Sequence, residues 1–300
     1  MNTTLMSTIL NGNSMTLLDI IFQLSAIHLE DTPECRGLVH RLVDRVFPIH
    51  WLHHPLKTGT IISRCRKDAQ NLEKESFGCK RPENVISFQR ASIPHESVFY
   101  GAVGDRDTED GDFIAMMETS SLHRKGRDKG QEVIFVSQWR VAKDIDMALI
   151  CHPNVFVDAY LNSTINAMQE NYKRRLPDYP AEQEFIPIFD KLVEFVSEQF
   201  AKRVSEGDNF QYMISSYFAH NSLLTESGII YPSVQVNGKL GFNVALRPDI
   251  VENSLEFIGA EKHILYKAKE YMQVPAGVYS DEHLAASLGI GSLDNLPVIK

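Results

Sequence analysis

The chain is short of cysteine, of positive charge and of long apolar runs, and each shortage removes a class of protein. Its four cysteines, Cys35, Cys65, Cys79 and Cys151, have no CxxC spacing and are too few to staple 300 residues. They read as reduced thiols, which argues against a disulfide framework or a cysteine-based zinc site and leads to the expectation of a cytoplasmic protein. Thirty basic residues stand against 39 acidic ones, a net charge of -9. That balance withholds the broad basic surface of a nucleic-acid binder, so no direct nucleic-acid contact is expected. No apolar run approaches membrane-spanning length. At the N-terminus there is no basic n-region, and the apolar residues are interrupted by Asn11, Asn13, Ser14 and Asp19. Neither a membrane span nor a secretory signal is therefore expected.

What remains is an ordinary globular composition, 43% hydrophobic and 23% charged, with ample chain for a buried core. Residues 1–55 read as an amphipathic helical region, with Leu17, Leu18, Ile21, Phe22, Leu24 and Ile27 at helical spacing and a second stripe from Leu38 to Val46. His40, His50, His53 and His54 gather near its end, but without a matching pattern of Cys or carboxylate they predict no metal site. Strands are predicted over 58–66, 97–103, 132–139 and 146–151, a loop rich in Asp and Gly over 104–112, and the start of a helix over 113–119. Residues 154–225 read as a helical block, its clearest stripe running from Phe185 to Val204. Strands over 229–236 and 241–248 follow. Because proline cannot donate to a ladder, Pro232 predicts that the first of these lies at a sheet edge or carries a bulge. A strand or helix over 255–271 and a polar tail complete the chain, and strands gathered around a helical block predict the α+β class.

Several polar residues stand at the edges of segments that otherwise look buried. Arg64 and Arg66 lie two apart on a strand and so share a face, either as a clamp for phosphate or carboxylate or as a solvated strand end. Glu118 directly follows the apolar run 113–117, where a carboxylate is costly unless something meets it. Its partner is expected to be Arg64, Arg90 or a ligand. Tyr100 sits on the apolar run 98–103, as a core tyrosine or a ligand-stacking one. Ser233 follows the irregularity at Pro232, where a side chain can be aimed at a pocket.

Taken in order, Arg64, Arg90 before Val98-Phe99-Tyr100, Glu118 after its apolar run, Tyr231-Pro232-Ser233 and the segment from Asn243 to Pro248 resemble the RES domain. That family is named for an arginine, a glutamate and a serine in this order, and the resemblance covers residues 56–258. It implies an ADP-ribosyltransferase-like mixed β core; beyond the family's pattern, this chain adds a large helical insertion (154–225), the helical region 1–55 and a C-terminal extension, 259–300. It also implies an enzyme that degrades NAD, its substrate and not a cofactor, by cleaving the nicotinamide–ribose bond through hydrolysis or phosphorolysis, as toxins of bacterial RES-Xre modules do. Glu118, Arg64 and Ser233 would then be catalytic residues, and Arg66, Arg90 and Tyr100 would bind NAD. An Xre-type antitoxin or a second copy of the chain would be its protein partners. The family's compact toxins usually carry Gly-Arg-Trp-Asn around their second arginine, whereas this chain has Phe88-Gln89-Arg90-Ala91-Ser92. An ADP-ribosyltransferase acting on a macromolecule and a non-catalytic RES-like interaction module are the alternatives.

Overall fold

A computed structural model describes residues 16–49, 51–104, 108–124, 130–156, 186–205, 207–236 and 240–267. His50, the early part of the expected helical block (157–185) and residues 268–300 lie outside the described residues. The described chain opens with helices α1 (Leu17–Ala26) and α2 (Pro33–Asp44). Local chemistry starts both: Thr16 and Asp19 form a reciprocal capping box ahead of α1, and Thr32 caps α2 with Pro33 in its first turn. There follow β1 (Leu52–Leu56), β2 (Ile61–Arg66), α3 (Lys74–Phe77), β3 (Phe99–Gly104), α4 (Thr108–Thr119), α5 (Ser121–Arg124), β4 (Gly130–Val141) and β5 (Ile145–Leu149). After these come α6 (Ile186–Ala201), α7 (Met213–Leu223), β6 (Gly228–Pro232), β7 (Gly241–Leu246), α8 (Pro248–Ser254) and β8 (Leu255–Lys267).

The strands form one mixed sheet in the order β1-β5-β6-β7-β3-β2-β4-β8, compatible with the α+β class. Neighbours are antiparallel except β5 and β6, which pair in parallel. A parallel step requires a return crossover, and the stretch carrying α6 and α7 supplies it. β6 and β7 are buried at every position because both sheet faces are covered. On one face, Ile20, Leu24, Val39 and Val43 of α1 and α2 pack with Val196, Phe218, Ile229 and Ala245 in one apolar cluster. On the other, Ile62, Phe99, Trp139, Met147, Ile230 and Val244 pack with Phe77 and Val251. Among the described residues no helix is long and apolar enough to cross a membrane.

The sheet is most weakly laced between β2 and β3. β2 and β3 share only the pair Ser63 and Ala102, whereas β2 pairs with β4 over six residues and β3 with β7 over six. Gly101 allows the approach there, since a Cβ would come within 2.4 Å of Ile62 Cγ2.

Several expectations are corrected. β6 is an interior strand, not an edge, although Pro232 is its last residue. The carbonyl of Ile230 accepts from the Ile150 N–H on the β5 side, and by alternation the nitrogen of Pro232 faces the same side, beyond the end of that ladder. Proline's missing donor therefore costs the sheet nothing. Residues 113–119 are the C-terminal part of a helix, not its start. The helix begins in the acidic stretch that reads as loop, because carboxylates favour a first turn. The division points at 55/56 and 258/259 both fall inside strands, β1 and β8.

Gly241 is the backbone position with the least tolerance. It has φ +148, and a Cβ would lie 2.1 Å from the Val103 carbonyl. Gly241→Ala is expected to cost roughly 2–4 kcal/mol from strain and overpacking together. Gly259, with nothing within 4 Å of an added Cβ, provides the control. Urea unfolding of the two alanine variants checks this: equal midpoints would show that the β3/β7 junction tolerates a side chain.

Candidate functional site

Where β2 and β3 part, the protein holds a cavity of about 540 Å³. Five of the six site residues expected from the sequence line it: Arg64, Arg66, Arg90, Tyr100 and Glu118. The sixth, Ser233, does not. It is fully buried and supports Glu118 from below.

Glu118 stands in the last turn of α4. A carboxylate there faces the negative end of the helix dipole, so the helix itself gives it no support. Support comes from the sheet. Ser233 Oγ donates to Glu118 Oε1 at 2.6 Å, and Asn243 Nδ2 donates to the same oxygen at 2.8 Å. Two donors on one oxygen fix the side-chain orientation, and among the described residues Oε2 has no hydrogen-bond partner. The ion pair with Arg64 or Arg90 that the sequence allowed does not form; both partners of Glu118 are neutral.

Strand β2 sends Arg64 and Arg66 to one face, as their spacing predicts, and Ser63 and Cys65 to the other, and all four line the cavity at the seam. Arg64 is only 6% exposed. Its Nη1 donates to the Tyr100 carbonyl at 2.7 Å, and its guanidinium lies over the Phe99 ring at 4.5 Å. Arg64 Nη2 and Arg66 Nη2 converge on the Gly78 carbonyl at 3.3 and 2.6 Å. Both Nε atoms are buried without a partner. Burial first, then the charge of Arg66, push the Arg64 pKa down to about 9, and burial lowers that of Arg66. Among the described residues no carboxylate pairs with either guanidinium. The site thus holds two crowded, partly desolvated cations, a cost that an anion in the cavity would relieve.

Arg90 is placed differently. Its guanidinium donates to the carbonyls of Phe200 and Lys202, the latter at 3.0 Å, and to Tyr212 Oη at 3.3 Å. It thereby caps the C-terminal end of α6, where a cation suits the helix dipole. Its donors are used by the protein, which makes it a wall of the cavity and not a free anion clamp. Tyr100 is likewise anchored: its hydroxyl accepts from the Ala91 N–H at 3.1 Å and donates to Ser92 Oγ at 3.0 Å. Burial raises the Tyr100 pKa, so it stays a neutral phenol. Cys65 is pushed up to about 12 by burial, which rules it out as a thiolate nucleophile.

Tyr212, Tyr231 and Asn243 also line the cavity; the sequence reading named Tyr231 and Asn243 only as anchors of the resemblance, with no site role, and passed over Tyr212. Asn243 was detectable: an amide inside the fully buried strand GFNVAL must find a partner. Tyr212 gave no such signal. The described histidines of the sequence cluster do not converge. His40 stacks on Tyr217, His53 meets Asp146 on β5, and His54 takes the next position of β1. Among the described residues no group of three His, Cys, Asp or Glu side chains could hold a metal ion.

The Arg90 clamp makes a stability prediction. Arg90→Met leaves two carbonyls at the end of α6 without donors and is expected to cost about 2–3 kcal/mol. Arg90→Lys should recover only part, because one ammonium cannot reproduce the fork. A Met variant as stable as wild type in urea would show that the clamp contributes nothing.

Compared with protein-family models, curated proteins and solved structures, the chain gives no significant match.

Proposed function

We propose that the cavity binds NAD and that the protein cleaves the bond between nicotinamide and ribose, as the resemblance to the RES domain implies. One observation carries this reading: two crowded guanidiniums, without carboxylate partners among the described residues, share a cavity with a carboxylate held by neutral donors. NAD asks for these two features together. Its pyrophosphate is an anion that Arg66 can bind through Nη1, which no hydrogen bond among the described residues engages, with Arg64 adding its charge from beside the Tyr100 and Gly78 carbonyls that hold it. Its reacting ribose becomes cationic in the transition state, which calls for a fixed carboxylate nearby.

In the reaction the C1′–N1 bond breaks and its electron pair passes to the pyridinium nitrogen, leaving neutral nicotinamide. An oxygen of water or phosphate bonds to C1′, and where water is the acceptor its proton goes to solvent. Because the leaving group departs neutral, no strong general acid is needed. Glu118 presents Oε2 to a ribose hydroxyl and to the developing positive charge. Ser233 and Asn243 hold that carboxylate so that it need not reorganise as charge appears. The pair on β2 fixes the pyrophosphate so that the ribose stays in register with Glu118. The parted sheet is the place at which an ADP-ribosyltransferase-like fold would take its dinucleotide.

Incubation of the purified protein with NAD, with and without phosphate, is expected to release nicotinamide, and phosphate dependence would name the acceptor. Glu118→Gln should retain the fold and lose roughly 10²–10³-fold in turnover. Wild-type activity in that variant would remove Glu118 from the mechanism.

Arg66 has fewer structural bonds than Arg64, so it separates binding from folding. Arg66→Met should weaken NAD binding about tenfold, and with it the rise in Tm that NAD gives the wild type. An undiminished rise would show that the cation pair does not hold the ligand.

A further inference from the structure

Three tyrosines line the cavity, Tyr100, Tyr212 and Tyr231, and their hydroxyls are not equivalent. Those of Tyr100 and Tyr212 are occupied, by Ser92 and Ala91 in the one case and by Arg90 in the other. Tyr231 is only 3% exposed, yet among the described residues its hydroxyl has no hydrogen-bond partner. Nor is that oxygen among the buried polar atoms sealed from solvent without a partner. A phenol so deeply buried whose oxygen is still accessible, on a residue that lines the cavity, directs its hydroxyl into that cavity.

Its place in the sheet puts it beside the carboxylate. Tyr231 lies directly opposite Asn243 in the β6/β7 ladder, and Ser233 is two residues further along, on the same face. Asn243 and Ser233 are the two donors to Glu118 Oε1. The ring is held edge-on against Phe200 with centroids 5.0 Å apart, and Phe200's carbonyl is in turn gripped by Arg90. Burial, foremost, keeps its pKa well above that of an ordinary tyrosine, so the group is a neutral donor across the working pH range. The site therefore offers one open acceptor, Glu118 Oε2, and one open donor, Tyr231 Oη, fixed on neighbouring elements. A single hydroxyl group, which both donates and accepts, satisfies the two together.

We propose that Tyr231 is a positioning residue that donates a hydrogen bond to a ribose hydroxyl of the substrate while Glu118 accepts from that same hydroxyl, so that the site reads ribose against deoxyribose. This rests on the reading of the cavity as an NAD site. The pair holds the sugar against the carboxylate through the bond-breaking step without taking or giving a proton. A buried polar pair left unmatched discriminates strongly against a ligand lacking the hydroxyl.

The test compares wild type and Tyr231→Phe on NAD and on its analogue with 2′-deoxyribose on the nicotinamide side, with NAD binding and Tm measured alongside. For the variant, kcat/KM on NAD is expected to fall about 10- to 100-fold with Tm little changed. On the deoxy analogue wild type and variant should be about equally slow. A merely structural tyrosine would lower both substrates alike, and that outcome overturns the proposal, as does unchanged kcat/KM on NAD in the variant. Wild type that neither binds nor cleaves NAD overturns the NAD reading itself, and this inference with it. Wild type that cleaves NAD while the variant behaves identically on both substrates overturns this inference alone.

Discussion

The structure turns on the seam between β2 and β3. The strands on either side pair over six residues each, β2 with β4 and β3 with β7; here the sheet is held by one residue pair, Ser63 and Ala102. Backbone groups released by a parted ladder must find partners or lose stability. Arg64 meets part of that demand by donating to the Tyr100 carbonyl. Glycines at 101 and 111 let the flanking elements close in, since a Cβ at 111 would sit 3.1 Å from Ser63 Oγ and from the Gly104 nitrogen. The same guanidinium thus closes the sheet and charges the cavity that the parting opens.

The carboxylate arrives from another direction. α4 packs over β2, β3 and β7 and ends at Glu118, where its dipole works against a negative charge. That local disadvantage is offset by donors from two interior strands, Ser233 just beyond β6 and Asn243 on β7. Ser233 and Asn243, polar side chains in so buried a place, find their partner in that carboxylate. Opposite them, Arg90 joins the cavity wall to the end of α6, so the helical layer and the site share one hydrogen-bonded frame. The functional reading grows from this geometry: two cations that among the described residues have no carboxylate partner, and one oriented carboxylate, around a single cavity.

Much of this was legible because it is local. The alternation over 61–66 placed Arg64 and Arg66 on one face, and a carboxylate closing an apolar run marked Glu118 as a residue with a partner to find. Other inferences failed where a local rule met a non-local arrangement. Proline at an interior strand is ordinarily excluded, yet Pro232 stands where the β5 ladder has already ended. Arg90 was expected to bind NAD, but its carbonyl acceptors lie 110 and more residues away, at the end of α6 and just beyond it. The acidic stretch before Phe113 looked like a loop because glycine at 111 disguises a helix whose close approach to Ser63 and Gly104 requires it.

By itself the sequence determined which segments alternate, which carry helical stripes and which polar residues sit where burial is costly, because these follow from periodicities of two and 3.6 residues and from desolvation. Only the tertiary structure decided which of those residues meet. That Ser233 and Asn243 converge on one oxygen of Glu118, that Tyr231 keeps a free hydroxyl while Tyr100 and Tyr212 do not, and that Arg90 serves a helix end all depend on contacts between residues far apart in the chain. Such contacts are set by strand order and register, and no local pattern encodes either.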